Sequence, residues 1–225
     1  MTNTEVGELL PARDVIYFFN GFASGKNVYS PLTAKLAPYG KVIQQPPASI
    51  FEFKKGVDQK ILDELPNNSI LLSHSGGCFP AIEVAKRGRG RVKKMILITP
   101  PGLSVRSTDE WFKSFAKHTV SANIPPFEST IPIDVDFVKQ LASRREQLVR
   151  QGFDLTKVDL PDVLTHIDIP ILIIYANKDP LVGLPDKNFL ARLGNNVKVE
   201  EVNGDHYWLV RHSQEAARKI EEFIK

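Results

Sequence analysis

At 225 residues, with 42% hydrophobic and 24% charged side chains, the chain has the size and composition of one domain built around one substantial core. A formal net charge of +3 is too small to direct it to nucleic acid or to a membrane surface. The lone cysteine, Cys78, excludes an internal disulfide and a cysteine-built zinc site, and it fits a reducing compartment.

The opening stretch MTNTEVGELLPARD lacks the basic region and apolar stretch of a secretory signal. No apolar run approaches the roughly 20 residues that span a bilayer. The predicted setting is the cytoplasm.

In chain order, VIYFF (15–19) is the first unbroken apolar run, followed by a helical stretch PLTAKLAPYG and a weaker strand candidate, KVIQQ (41–45). The helical VDQKILDEL leads to SILL (69–72), then FPAIEVAKRG predicts a helix before the next strand, MILI (95–98). Beyond a long interval come ILIIYA (171–176), the helical PDKNFLARLG and a second weak strand, VKVEEV (197–202). The chain closes on SQEAARKIEEFIK, where Ser213 is placed to cap a helix with apolar spacing at Ala217, Ile220 and Phe223. The four strong runs lack apolar/polar alternation, as strands covered on both faces do. Strands alternating with helices predict a doubly wound, mostly parallel α/β sheet with helices on both faces.

From Pro100 to Asp168 no strand is evident. The segment holds DEWFKSFAKH, the proline-containing IPPFESTIPID and the charged helical run VDFVKQLASRREQLVRQG. So long a connection does not suit a compact domain, and an inserted helical cap over residues 101–168 is the simplest expectation. KRGRGRVKK (86–94) is strongly basic, but it closes a helix and enters a strand at its N-terminal edge. Cations suit that helix end, with Gly88 or Gly90 as the C-cap, and α/β ligand sites form at the opposite edge.

The stretch LLSHSGGCFP places Ser75 between a buried strand and a helix. A nucleophile on such a sharp turn exposes its hydroxyl above the sheet, and the crowded turn needs small residues two before and two after. Here these are Ser73 and Gly77. A serine hydroxyl needs a base to take its proton, and histidine suits that task near neutrality. Of His74, His118, His166, His206 and His212, His206 stands just past the last strand, in VNGDHYW. His74 adjoins Ser75, so its side chain is expected to point away and pack. The imidazole in turn needs a carboxylate to fix its tautomer. Asp179, in ILIIYANKDPLV, follows the longest buried strand, whereas the rival Asp205 is bonded to His206 and poorly placed to reach round to its ring. An oxyanion would meet the N–H of Gly76 and, from the loop after the first strand, that of Phe22 beside Gly21.

With NGF near the start, SHSGG at the nucleophile turn, YANKDPLV at the acid and NGDHYW at the base, the chain resembles the α/β-hydrolase superfamily over nearly its whole length. The resemblance implies a triad of Ser75, Asp179 and His206 with Phe22 and Gly76 as oxyanion hole. Serine at position 75 excludes the aspartate nucleophile of dehalogenase-like members. Thirteen residues before DVIYFF cannot supply both of the family's usual first two strands, so a trimmed sheet of about six strands is expected.

The implied activity is hydrolysis of a carboxylic ester or thioester through an acyl-enzyme, with no metal or organic cofactor. The expected partner is a small-molecule acyl substrate and the expected assembly a monomer or homodimer. Trp111, Phe112 and Phe115 in the cap, with Trp208 beside the base, are candidates for an apolar substrate pocket; Arg144, Arg145 and Arg150 read as solvated helix charge. Two alternatives stand beside the hydrolase. One is a lyase or cyclase using Ser75 and His206 for proton transfer, and the other a small-molecule receptor with little turnover.

Overall fold

The computed structural model describes residues 14–21, 24, 26–45, 58–104, 109–110, 113–114 and 158–225. Phe22, Trp111, Phe112, Phe115, His118, the three arginines at 144, 145 and 150, and most of the expected cap lie outside these residues.

Six strands form one sheet: β1 (Val15–Phe19), β2 (Lys41–Gln45), β3 (Ser69–His74), β4 (Val92–Ile98), β5 (Ile171–Ala176) and β6 (Val197–Val202). Their order is β2-β1-β3-β4-β5-β6, and every neighbouring pair is parallel. Each apolar run noted above is one of these strands, including the two weaker ones.

The period of two within a strand explains the unbroken runs. Ile16, Phe18, Ile70, Leu72, Ile96, Ile98, Leu172 and Ile174 face one core cluster. Tyr17, Phe19, Leu71, Met95, Leu97, Ile171 and Ile173 face another. Both faces are covered, so both sets must be apolar. The outer strands β2 and β6 are largely half-buried, and their sequences are correspondingly mixed.

Helices α1 (Ser30–Leu36) and α7 (Ser213–Ile224) cover the first face, with the short α6 (Trp208–Arg211) beside them. Helices α2 (Asp58–Glu64), α3 (Cys78–Arg87), α4 (Leu160–Leu164) and α5 (Lys187–Ala191) contribute to the second. Helix α7 buries Ala216, Ala217, Ile220 and Ile224, the apolar stripe that its spacing predicts. Its start differs from expectation. Ser213 is the first helical residue, not the cap, because α6 runs straight into His212, which takes the N-cap place without a side-chain bond.

The basic stretch is absorbed by the fold. Gly88 is the C-cap of α3, its N–H donating to the Val84 carbonyl at 2.7 Å. Arg91 donates to the carbonyls of Leu62 and Leu65 at the end of α2. Lys94 donates to those of Phe223 and Ile224 at the end of α7, and Lys93 pairs with Asp14. Helix C-termini carry unpaired carbonyls and partial negative charge, so cations there satisfy both.

Gly102 and Val158, far apart in sequence, meet just beyond β4. A Cβ on Gly102 would stand 2.8 Å from the Val158 carbonyl oxygen, and Gly102 has φ +89°. Gly102 thus lies against the backbone that leads into α4. Among the described residues no helix is long and apolar enough to cross a membrane.

Candidate active site

Strand β3 delivers Ser75 through a strained turn. Ser75 has φ +51°, a left-handed conformation that costs an L-residue other than glycine roughly 1–2 kcal/mol. The turn has to be tight because α3 doubles back over β1. A Cβ on Gly77 would lie 2.4 Å from the carbonyl oxygens of both Phe19 and Asn20, so nothing larger than glycine fits. Serine is tolerated at position 73 because its buried hydroxyl donates to the Ile96 carbonyl at 3.1 Å. Thr99, which follows the β4 residue paired with His74, is also left-handed, with φ +44°.

Strand β6 brings His206. Its Nε2 is 2.8 Å from Ser75 Oγ. Its Nδ1 is 2.7 Å from Asp179 Oδ2, in a loop that leaves β5. The other carboxylate oxygen, Oδ1, accepts the N–H groups of Leu181 at 2.7 Å and Val182 at 3.2 Å. Burial pushes the Asp179 carboxyl upward, but His206 and these two amides outweigh it and hold it below the usual carboxylate range. An ionised carboxylate on Nδ1 places the proton there and leaves Nε2 as the acceptor for the Ser75 hydroxyl.

The acid and base loops are joined through their backbones. Lys178 N–H donates to the Gly204 carbonyl and Asn177 N–H to that of Val202, each at 2.9 Å. Gly204 lies against the Trp208 ring, where a Cβ would stand 2.8 Å from Cδ1.

The structure therefore joins Ser75, His206 and Asp179 in one hydrogen-bonded run, with Gly76 directly after the serine. Asp205 goes elsewhere: Oδ1 accepts the Tyr207 N–H at 3.0 Å and Oδ2 pairs with Arg211. Trp208 corrects the expectation of a substrate contact. It is 1% exposed, packs in the core with Ile174, Leu209 and Ile220, and donates Nε1–H to Glu215, so it supports the base loop from beneath.

His166 and His212 are exposed. Cys78 is buried at the start of α3, and burial pushes its thiol up to about 12, which keeps it protonated and inert beside the serine. Two residues that sequence reasoning missed are His74 and Tyr29, hydrogen-bonded to each other behind the site. Adjacency to Ser75 was the available signal for His74; Tyr29 had none. A groove of about 760 Å³ between α1 and α7 is lined by Lys35, Tyr39 and Arg218 among others and includes none of the three clustered residues. Among the described residues no group of His, Cys, Asp and Glu side chains is disposed to hold a metal ion.

The sequence profile described as "Alpha/beta hydrolase family" matches residues 36–219. The chain belongs to that family. Among solved structures, it is similar to a putative lipase from Acinetobacter baumannii, with TM-score 0.74, 18% identity and coverage of 94% of this chain and 83% of that one. A lipase-esterase related protein from Clostridium acetobutylicum gives TM-score 0.71 at 18% identity, covering 95% of each chain. An esterase from Exiguobacterium antarcticum gives 0.71 at 14% identity, covering 95% and 92%. Likeness at such identities is likeness of fold. No curated protein matches the sequence.

Proposed function

We propose that this α/β hydrolase cleaves a carboxylic ester or thioester through a covalent acyl-enzyme on Ser75. The observation that carries the reading is the continuous run from Asp179 Oδ2 through His206 to Ser75 Oγ, at 2.7 and 2.8 Å, on a left-handed serine. Strain of that kind persists where the surrounding fold enforces it, often at reacting groups.

In this mechanism His206 Nε2 takes the Ser75 proton as Oγ attacks the substrate carbonyl carbon. Asp179 steadies the imidazolium that results. The oxyanion is met by the Gly76 N–H and, in the proposal, by the N–H of Phe22. His206 then returns the proton to the leaving alkoxide or thiolate. Water, deprotonated by the same nitrogen, releases the acid and restores Ser75.

The site residues are self-sufficient for this chemistry, and the lipase and esterase names of fold neighbours agree with it. In this proposal Trp111 and Phe115 line an acyl pocket, and the helical cap lies between Gly102 and Val158, since α4 (Leu160–Leu164), at the end of the expected 101–168 interval, packs in the core instead. The single buried, protonated cysteine suits a cytoplasmic setting.

The test is turnover of p-nitrophenyl esters and acyl thioesters over a range of chain lengths, for the parent and Ser75→Ala. The reading requires hydrolysis by the parent and its loss in a folded Ser75→Ala. A parent that reacts with a fluorophosphonate yet hydrolyses neither class would favour the proton-transfer lyase instead.

A further inference from the structure

His74 and Tyr29 are wholly buried polar side chains with no part in the proton transfer just described; they are 1% and 0% exposed. Three hydrogen bonds thread them. Gly21 N–H donates to the Tyr29 hydroxyl at 3.0 Å. Tyr29 Oη lies 2.8 Å from His74 Nδ1, and His74 Nε2 lies 2.9 Å from the carbonyl oxygen of His206.

The direction of each bond is determined by what the groups can do. A carbonyl oxygen only accepts, so His74 Nε2 must carry a proton. Burial and the neighbouring His206 keep the ring neutral, its pKa pushed down to about 3, so Nδ1 is bare and accepts. The Tyr29 proton must then point at Nδ1, which leaves the phenol oxygen free to accept from Gly21 and from the Ser24 side chain. Burial raises the Tyr29 phenol, so it too keeps its proton at working pH.

These bonds join the three backbone segments that the proposed reaction needs in register. Gly21 precedes Phe22, the proposed oxyanion donor. His74 precedes Ser75. The pinned carbonyl belongs to His206 itself. Close packing reinforces the link: a Cβ on Gly21 would stand 2.7 Å from both His74 Nδ1 and Tyr29 Oη. The rings of His74 and His206 lie with centroids 4.9 Å apart.

We infer that Tyr29 and His74 are a positioning relay, a one-way chain of hydrogen bonds that fixes the Gly21 turn and the His206 loop relative to Ser75. The inference rests on the reading of Ser75, His206 and Asp179 as the reacting groups. Neither relay residue touches substrate. Each acts by holding reacting backbone in place, where a displacement of about 1 Å is able to cost on the order of a hundredfold in rate.

The experiment compares Tyr29→Phe, His74→Leu, His74→Gln and the double variant Tyr29→Phe/His74→Leu, with p-nitrophenyl acetate as probe and Tm as control. Glutamine keeps a donor toward the His206 carbonyl; leucine does not. The relay predicts kcat lowered about tenfold to a hundredfold in folded Tyr29→Phe and His74→Leu, with KM little changed. It predicts substantial recovery in His74→Gln, and a double variant no slower than His74→Leu alone, because a chain broken once is already broken. Parental kcat in folded Tyr29→Phe and His74→Leu, with only Tm reduced, overturns the relay and leaves these residues as core. If His74→Leu does not fold, parental kcat in Tyr29→Phe overturns it alone. Retained turnover in Ser75→Ala is a separate result: it removes the hydrolase reading, whatever the relay variants do.

Discussion

Asp205 and His206 are bonded neighbours, yet their side chains part: the Asp205 carboxylate turns to the Tyr207 N–H and to Arg211, while His206 Nδ1 reaches Asp179 at 2.7 Å. The carboxylate proposed to orient His206 therefore arrives from beyond another strand, β5. Asp179→Asn leaves the geometry but removes the charge that selects the tautomer, and kcat should fall by around ten-thousandfold, as for the equivalent change in serine proteases. Asp205→Asn loses a partly exposed ion pair, worth at most about 1 kcal/mol, and should leave kcat within an order of magnitude. Steady-state kcat for the two folded variants is the check; reversed effects would assign the acid to the wrong residue.

Backbone strain at Ser75 has a signature in stability. Alanine and glycine both remove the Ser75 hydroxyl, but only glycine relaxes φ +51°. Ser75→Gly should be more stable than Ser75→Ala by about 1 kcal/mol, read from urea midpoints. An alanine variant as stable as the glycine variant would mean the turn is unstrained.

A Cβ at Gly77 meets two backbone oxygens at 2.4 Å, while one at Gly90 meets nothing. Gly77→Ala should prevent the nucleophile turn from closing and cost several-fold more stability than Gly90→Ala. The latter bears only left-handed strain of roughly 1–2 kcal/mol. Paired denaturation curves decide it, and equal losses would contradict the close approach of β1 and α3.

His74 also makes stability pH-dependent. An unfolded histidine titrates near 6.5, whereas burial, with His206 beside it, pushes folded His74 down to about 3. Between those values the unfolded chain binds the extra proton. Stability from this group is thus fully present above about pH 6.5 and falls on acidification by up to about 1.4 kcal/mol per pH unit. Asp179, whose carboxyl is held low, adds its own loss only at more acid pH. His74→Gln should flatten the profile between about pH 6.5 and 4.5. An unchanged slope in that window would show that His74 is not buried and neutral.

The strands were readable because both faces of this sheet are covered, which forces runs such as ILIIYA to be apolar throughout. The edge strands were fainter for the same reason: KVIQQ is half exposed and tolerates glutamine. The meeting of Ser75, Asp179 and His206 could be expected because each follows the end of a strand. His74 was not legible, because its value lies in a partner, Tyr29, 45 residues away in the chain, and adjacency alone reads as packing. Trp208 was misread since an aromatic next to the base looks the same in sequence whether it faces substrate or core. Ser213 misled because a capping residue at a helix start cannot reveal that another helix precedes it.

A covalent acyl-enzyme on Ser75 can be trapped, and doing so tests the proposed chemistry most directly. Rapid mixing of the parent with excess p-nitrophenyl ester, followed by acid quench and mass analysis of the intact chain and its peptides, reads the intermediate itself. A single acyl adduct is expected on the peptide carrying Ser75, present in the parent and absent from folded Ser75→Ala, with turnover lost in step. Undiminished turnover in folded Ser75→Ala, or an adduct on another side chain that accounts for the turnover, would contradict the proposal.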